Sequence, residues 1–124
     1  MEHPILNQLS QRPLLCDGAM GSLLYARGVT YEQCFDALNL SRPELITNIH
    51  SEYIHAGAEV IETNSFGANR AKLEAYNLVD RVREINVRAV RLAREAREIS
   101  GRPIFVAVQL VQQDAHCKRQ MSTV

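Results

Sequence analysis

Ala56-Gly57-Ala58-Glu59-Val60-Ile61-Glu62-Thr63-Asn64-Ser65-Phe66-Gly67 carries a helix stop, a short strand and a polar loop in immediate succession. Gly57 can adopt the left-handed backbone that closes a helix. Glu59 to Thr63 is a short β-branched run, so it reads as a strand. Asn64 to Gly67 is polar and ends in glycine, so that strand runs out into a loop.

Upstream of Gly57, Ser41-Arg42-Pro43-Glu44 has the form of a helix opening. Ser41 is expected to cap, Glu44 to reach back three residues, and Pro43 to sit in the first turn. Leu45, Ile46, Ile49 and Tyr53 then recur at helical spacing. Nearer the start, Pro13-Leu14-Leu15-Cys16 is a compact apolar run before Asp17-Gly18, and it reads as a buried strand with Cys16 as a small core residue. Met20 to Arg27 reads as a helix closed by Gly28, and Pro4 to Leu9 as a leading helix with Ile5, Leu6 and Leu9 on one side.

Downstream, Ala68 to Tyr76 has room for a helical turn or two. A long helix follows from about Val79 to Ile99, where Val82, Ile85, Ala89, Leu92, Ala96 and Ile99 alternate steps of three and four. Glu84 is expected to support Arg88 one turn on. Ser100-Gly101-Arg102-Pro103 breaks the helix, and Ile104-Phe105-Val106-Ala107 begins a third strand. Strands alternating with helices predict an α/β fold with right-handed crossovers and a parallel sheet.

The bulk properties narrow the function. The 124 residues give room for one modest domain. Lys+Arg and Asp+Glu both number 14, so no net field favours nucleic acid or an acidic membrane. No apolar run is long enough for a membrane span, and Met1-Glu2-His3-Pro4 lacks the basic lead of a secretory signal. Three irregularly spaced cysteines, Cys16, Cys34 and Cys117, are expected as reduced thiols. A cytoplasmic location is the resulting expectation.

Ligands of parallel α/β folds gather at the carboxyl ends of strands, beside helix N-termini. Asp17-Gly18-Ala19-Met20-Gly21 falls at one such end. Its glycines permit close approach of a ligand, its amides can receive an anion, and Asp17 offers a carboxylate to a cation. Those two charges match an amino acid zwitterion; a tight turn capped by Asp17 is the plainer reading. Glu62-Thr63-Asn64 falls at a second strand end, and a carboxylate following Ile61 in a buried strand needs a partner or ligand. A loop that caps the helix near Ala68 is the plainer reading there. His50 and His55 lie on different faces of one helix, and no Cys-x-x-Cys or His-Glu-x-x-His pattern occurs, so no metal site is expected from this chain alone.

Three blocks carry a family resemblance: Leu15-Cys16-Asp17-Gly18-Ala19-Met20-Gly21-Ser22, Asn39-Leu40-Ser41-Arg42-Pro43-Glu44-Leu45-Ile46, and Ala56 to Arg70. In this order they resemble the opening of the homocysteine-binding domain of the homocysteine S-methyltransferase family. That family spans methionine synthases, betaine–homocysteine methyltransferases and bifunctional enzymes joined to a methylenetetrahydrofolate reductase. The resemblance implies a TIM-type (β/α)8 barrel of which this chain holds the first three β/α units, incomplete against the roughly 250 residues of a barrel. It implies methyl transfer to the thiol of homocysteine, giving methionine, with zinc on cysteine thiolates activating that thiol. Carried over by position, Asp17 holds the homocysteine amino group. The backbone at Gly18, Ala19 and Met20 meets its carboxylate, and Glu62, Thr63 and Asn64 line the pocket. The methyl donor is left open among a folate, a betaine and an S-methyl compound, with a lean toward the folate-linked type.

The family's zinc-binding cysteines come from the second half of the barrel, and Cys16, Cys34 and Cys117 stand in other contexts. The chain by itself is therefore expected to be inactive: a truncated enzyme or, as an alternative, a small α/β module that binds a partner. Residues 1–107 read as the N-terminal part of the barrel domain and 108–124 as an aberrant tail. After Ala107 the family continues Gly-Ser-Ile-Gly-Pro-Thr-Gly, whereas this chain reads Val108-Gln109-Leu110-Val111-Gln112-Gln113-Asp114. One back-translation of Ala107 to Asp114, GCC GTT CAA TTG GTC CAA CAG GA, becomes the family turn when a single G follows the first codon. A one-base frameshift is the expectation, and the DNA beyond codon 124 tests it. A second frame encoding the rest of the barrel is expected there; a sequence with no such frame refutes it.

Overall fold

The computed structural model describes residues 3–110; the expected tail lies outside the described residues from 111 onward. Prolines and glycines set the helix boundaries. Pro4 and Pro43 occupy the first turns of α1 (Pro4–Gln11) and α4 (Pro43–His55), where a missing N–H is harmless. Gly57, at φ 114°, follows the end of α4. Gly101, at φ 65°, caps α6 (Val82–Ser100). Between them run α2 (Met20–Ala26), the single turn α3 (Leu38–Ser41), the short α5 (Arg70–Glu74) and a 3-10 turn at Val79–Arg81.

Two strands, β1 (Val60–Glu62) and β2 (Phe105–Ala107), pair in parallel with Val60 opposite Phe105 and Glu62 opposite Ala107. The connection between them passes through α5 and α6, as a parallel pair requires. On the other side of β1, Cys16 forms a single parallel bridge to Val60. The Leu15 carbonyl accepts from the N–H groups of Glu59 and Val60 at 2.7 and 3.2 Å.

The amphipathic stripe of α6 supplies the common wall of the core. Its Leu92 packs with Leu24, Val29, Leu38, Ile46 and Ile49 from the first half of the chain. Its Ala93 and Ala96 pack with Ile54, Ala58, Ile61 and Ile104, which ties α4 and the sheet together. Each fully buried isoleucine or leucine contributes about 1.5–3 kcal/mol over the exposed state.

Several expectations need correction. The run Pro13 to Cys16 is extended but not buried; Leu15 is 58% exposed and Cys16 is exposed too. It borders the sheet through one bridge, so β1 covers it from one side. Ser41 does not cap α4. It lies within α3 and donates its hydroxyl to the Ala37 carbonyl, leaving Arg42 at the cap position. Ile99 is 70% exposed, although Ala96 one turn before it on the same stripe is buried. Glu84 pairs with Arg81 through two hydrogen bonds of 2.9 and 3.0 Å rather than with Arg88. That exposed pair adds little stability. Leu6 and Leu9 of α1 face solvent, and the helix is tethered by the Arg12–Glu59 ion pair at 2.8 Å just beyond it.

His50 of α4 is fully buried, and neither ring nitrogen has a hydrogen-bond partner among the described residues. Burial lowers its pKa from 6.5 to about 4. Between those values the unfolded chain binds a proton that the folded chain does not, so stability is complete above pH 6.5 and falls as pH drops toward 4. A loss of about 3 kcal/mol is expected across that window. Urea midpoints of the wild type and His50→Leu measured through it provide the check. The variant loses this part of the pH slope; an identical slope in both proteins contradicts the assignment.

Candidate functional site

Parallel pairing brings the carboxyl ends of the first extended segment and β1 side by side. The Asp17 N–H donates to the Val60 carbonyl at 2.9 Å, and the Glu62 N–H donates to Asp17 Oδ2 at 3.0 Å. Asp17 is thus engaged by the neighbouring strand rather than capping its own turn. Burial raises its pKa, the Glu62 N–H bond opposes that rise, and the Glu62 charge adds to it.

The loop after Asp17 is fixed from below by α4. The Tyr53 hydroxyl donates to the Ala19 carbonyl at 2.7 Å. A Cβ at Gly18 would stand 2.9 Å from that hydroxyl, so a larger residue here would push the Tyr53 ring aside. Burial, and then the charge of Asp17, raise the Tyr53 pKa, which keeps the hydroxyl protonated as a donor. No side chain caps the N-terminus of α2, so its first amides carry no side-chain partner there.

A cavity of about 360 Å³ opens between the two strand ends, lined by Asp17, Gly18, Ala19, Met20, Glu62, Thr63 and Gln109. Six of the seven residues singled out in the sequence therefore share one groove. The seventh, Asn64, does not. Its amide donates to the Phe35 carbonyl at 2.9 Å and to Asn39 Oδ1 at 3.0 Å. It lines a neighbouring cavity of about 400 Å³ with Phe35, Asp36, Phe66, Gly67 and Lys72.

The loop after β1 is held by hydrogen bonds at each step. Asn39, fully buried, returns the amide bond by donating to the Asn64 carbonyl at 2.8 Å and also to Ile85 at 3.3 Å. The Gly67 N–H donates to Asp36 Oδ1 at 3.1 Å. A Cβ at Gly67 would lie 2.5 Å from Asp36 Oδ2. Burial raises the Asp36 pKa, and the Gly67 bond works against it. The expected capping of the next helix by this loop is not seen; Asn69 caps α5 by accepting from the Lys72 N–H.

Two carboxylates and a set of uncapped amides in one groove suit a ligand carrying a cationic and an anionic end. Metal chemistry is a different matter. Among the described residues no three of His, Cys, Asp and Glu converge as a metal would require. Burial raises the Cys34 pKa, so that thiol is kept neutral rather than as the thiolate a metal prefers. These residues do not fit a zinc centre.

Tyr53, Asn39, Asp36 and Gln109 are contributors that the sequence reading passed over. Tyr53 reads as part of an apolar stripe, Asn39 as the first residue of a resemblance block with no role of its own, Gln109 as part of the tail, and Asp36 belongs to no motif. Their partners lie far away in sequence, so only the folded chain reveals them.

The family model described as homocysteine S-methyltransferase matches residues 14–123. The chain belongs to the homocysteine S-methyltransferase family. It is 38% identical over 105 residues to a methionine synthase of Mycobacterium tuberculosis, covering 80% of this chain and 9% of that protein. A methionine synthase of Mycobacterium leprae is 36% identical over 100 residues, covering 76% of this chain and 8% of its own length. Among solved structures, the homocysteine methyltransferase MmuM from Escherichia coli in its metallated form superposes with a TM-score of 0.77 at 30% identity. That match covers 94% of this chain and 44% of MmuM. The chain thus spans under a tenth of the methionine synthases and under half of MmuM. The family match of residues 14–123 includes all the residues that line the groove, from Asp17 to Gln109.

The Asn39–Asn64 pair gives a direct test of how the groove is held. Asn39→Leu leaves the Asn64 amide and carbonyl each short of a partner, and a loss of about 1–3 kcal/mol of stability is expected. Chemical denaturation measures it. An unchanged midpoint contradicts the account of the loop.

Proposed function

We propose that this chain is the homocysteine-binding part of a family methyltransferase, built as the first three β/α units of a (β/α)8 barrel. The single observation that supports this most is the meeting of the Asp17 and Glu62 carboxylates with the uncapped N-terminus of α2 in one groove. On this reading the ligand ammonium lies against Asp17 and Glu62, and its carboxylate takes the amides around Gly18, Ala19 and Met20. Thr63 closes the wall, and Asn64 shapes the loop from behind. The similarity to a methionine synthase and a homocysteine methyltransferase supports homocysteine as that amino acid.

The family reaction forms a bond between a methyl carbon and the homocysteine sulfur, breaks the donor's bond to that methyl, and releases the thiol proton. A zinc ion supplies thiolate activation where the family holds one. The residues described do not fit such an ion, so no step of transfer is assigned to them. Their work is to bind and orient the amino-acid end of the substrate. Binding without turnover is the activity we assign to this chain alone.

Calorimetric titration with L-homocysteine tests the proposal. Asp17→Asn keeps the shape of the side chain and removes its charge, and affinity is expected to fall about tenfold or more, as for a lost charge-assisted contact. The Asp17 pKa is raised, so wild-type binding should weaken as pH falls and Asp17 takes up its proton. Equal affinity of the wild type and Asp17→Asn at neutral pH would show that the carboxylate does not hold the ligand.

A further inference from the structure

We propose that Gln109 is a positioning residue for the ammonium end of the groove, acting through Glu62. This rests on the homocysteine reading given above, names a residue that no part of that reading uses, and takes Gln109 as part of the folded site against the expectation that residues 108–124 are an aberrant tail.

The backbone of Gln109 is pinned on both sides. Its N–H donates to Thr63 Oγ1 at 3.0 Å, and its carbonyl accepts from Ser65 Oγ at 2.8 Å. Thr63 Oγ1 and Ser65 Oγ are themselves 2.7 Å apart. Since Ser65 uses its proton on Gln109, Thr63 is the donor between the two hydroxyls. The ring closes, and it fixes the Gln109 Cα whatever side chain it bears.

From that anchored position the side chain reaches back across the sheet. Glu62 stands opposite Ala107 in the β1–β2 register, and Gln109 Nε2 donates to Glu62 Oε2 at 2.8 Å. A bond from an amide to a carboxylate is charge-assisted, and it holds a flexible glutamate in one orientation. It occupies Oε2 and leaves Oε1 with no partner among the described residues. Asp17 is held in a similar way, with Oδ2 accepting the Glu62 N–H. Each carboxylate of the groove is therefore steadied through one oxygen by the protein.

Gln109 also borders both cavities, together with Met20. The two side chains form the partition between the amino-acid groove and its neighbour. Gln109 thus orients Glu62 and shares with Met20 the boundary of both cavities.

A double-mutant cycle tests the assignment on the full chain, with L-homocysteine and its desamino analogue 4-mercaptobutanoate as probes. Gln109→Leu keeps the backbone ring and removes the amide, so its circular dichroism should match that of the wild type. It should weaken L-homocysteine binding by about threefold to tenfold, the weight of one net hydrogen bond, and leave the desamino analogue unchanged. In a Glu62→Gln background, Gln109→Leu should have no further effect, because the group it orients is already altered. A uniform loss for both probes, an additive effect in the Glu62→Gln background, or no loss at all overturns the positioning role. If the wild type fails to bind L-homocysteine, the homocysteine reading falls and this inference falls with it. If the wild type binds and only the cycle fails, the homocysteine reading stands alone.

Discussion

The hydrogen bond from the Glu62 N–H to the Asp17 carboxylate, at 3.0 Å, is the contact on which the groove depends. It ends a zipper that begins where Glu59 binds the Leu15 N–H at 3.0 Å and passes through the Leu15 and Val60 carbonyls. Side chain and backbone together lock two strand ends that are distant in sequence. The same contact brings the Asp17 charge close to that of Glu62, in a setting where burial already disfavours ionisation. Two acids so placed are relieved by a cation between them. Structural pairing and ligand chemistry are therefore consequences of one arrangement.

Helix α4 links this arrangement to the core. Ile46, Ile49 and Ile54 bury against the rest of the chain, while Tyr53, partly buried between them, carries its hydroxyl to Ala19. A displacement of α4 would move the Gly18 loop with it. The second loop has its own brace in Asp36 and Asn39, which come from the segment before α4 and grip Gly67 and Asn64. The second loop is thus held by buried groups, Asp36 and Asn39, and the first by the partly buried Tyr53.

The sequence made the periodic and punctuated features legible. Pro43, Gly57 and Gly101 mark helix ends by their backbone requirements, and the stripe from Ile85 to Ala96 marks the buried face of α6. Leu15, Cys16 and Ile99 were misjudged because apolar character fixes a tendency to be buried but not the presence of a covering partner. Ser41 went astray because the turn before α4 is itself helical, which gives its hydroxyl a nearer acceptor. Six groove residues were legible from their place at strand ends. Asn64 was not placed correctly, since its amide finds Asn39 and Phe35, more than 20 residues away. Tyr53 and Gln109 belong to the same class of long-range contact.

The proposed homocysteine reading gives these contacts a common purpose, recognition of an amino acid by both of its charges. Nuclear magnetic resonance of the labelled chain during titration with L-homocysteine tests that most directly. The account predicts that the amide signals of Gly18, Ala19, Met20 and Glu62 shift together and saturate with one affinity. Saturating shifts centred elsewhere, with these four amides unmoved, would contradict it.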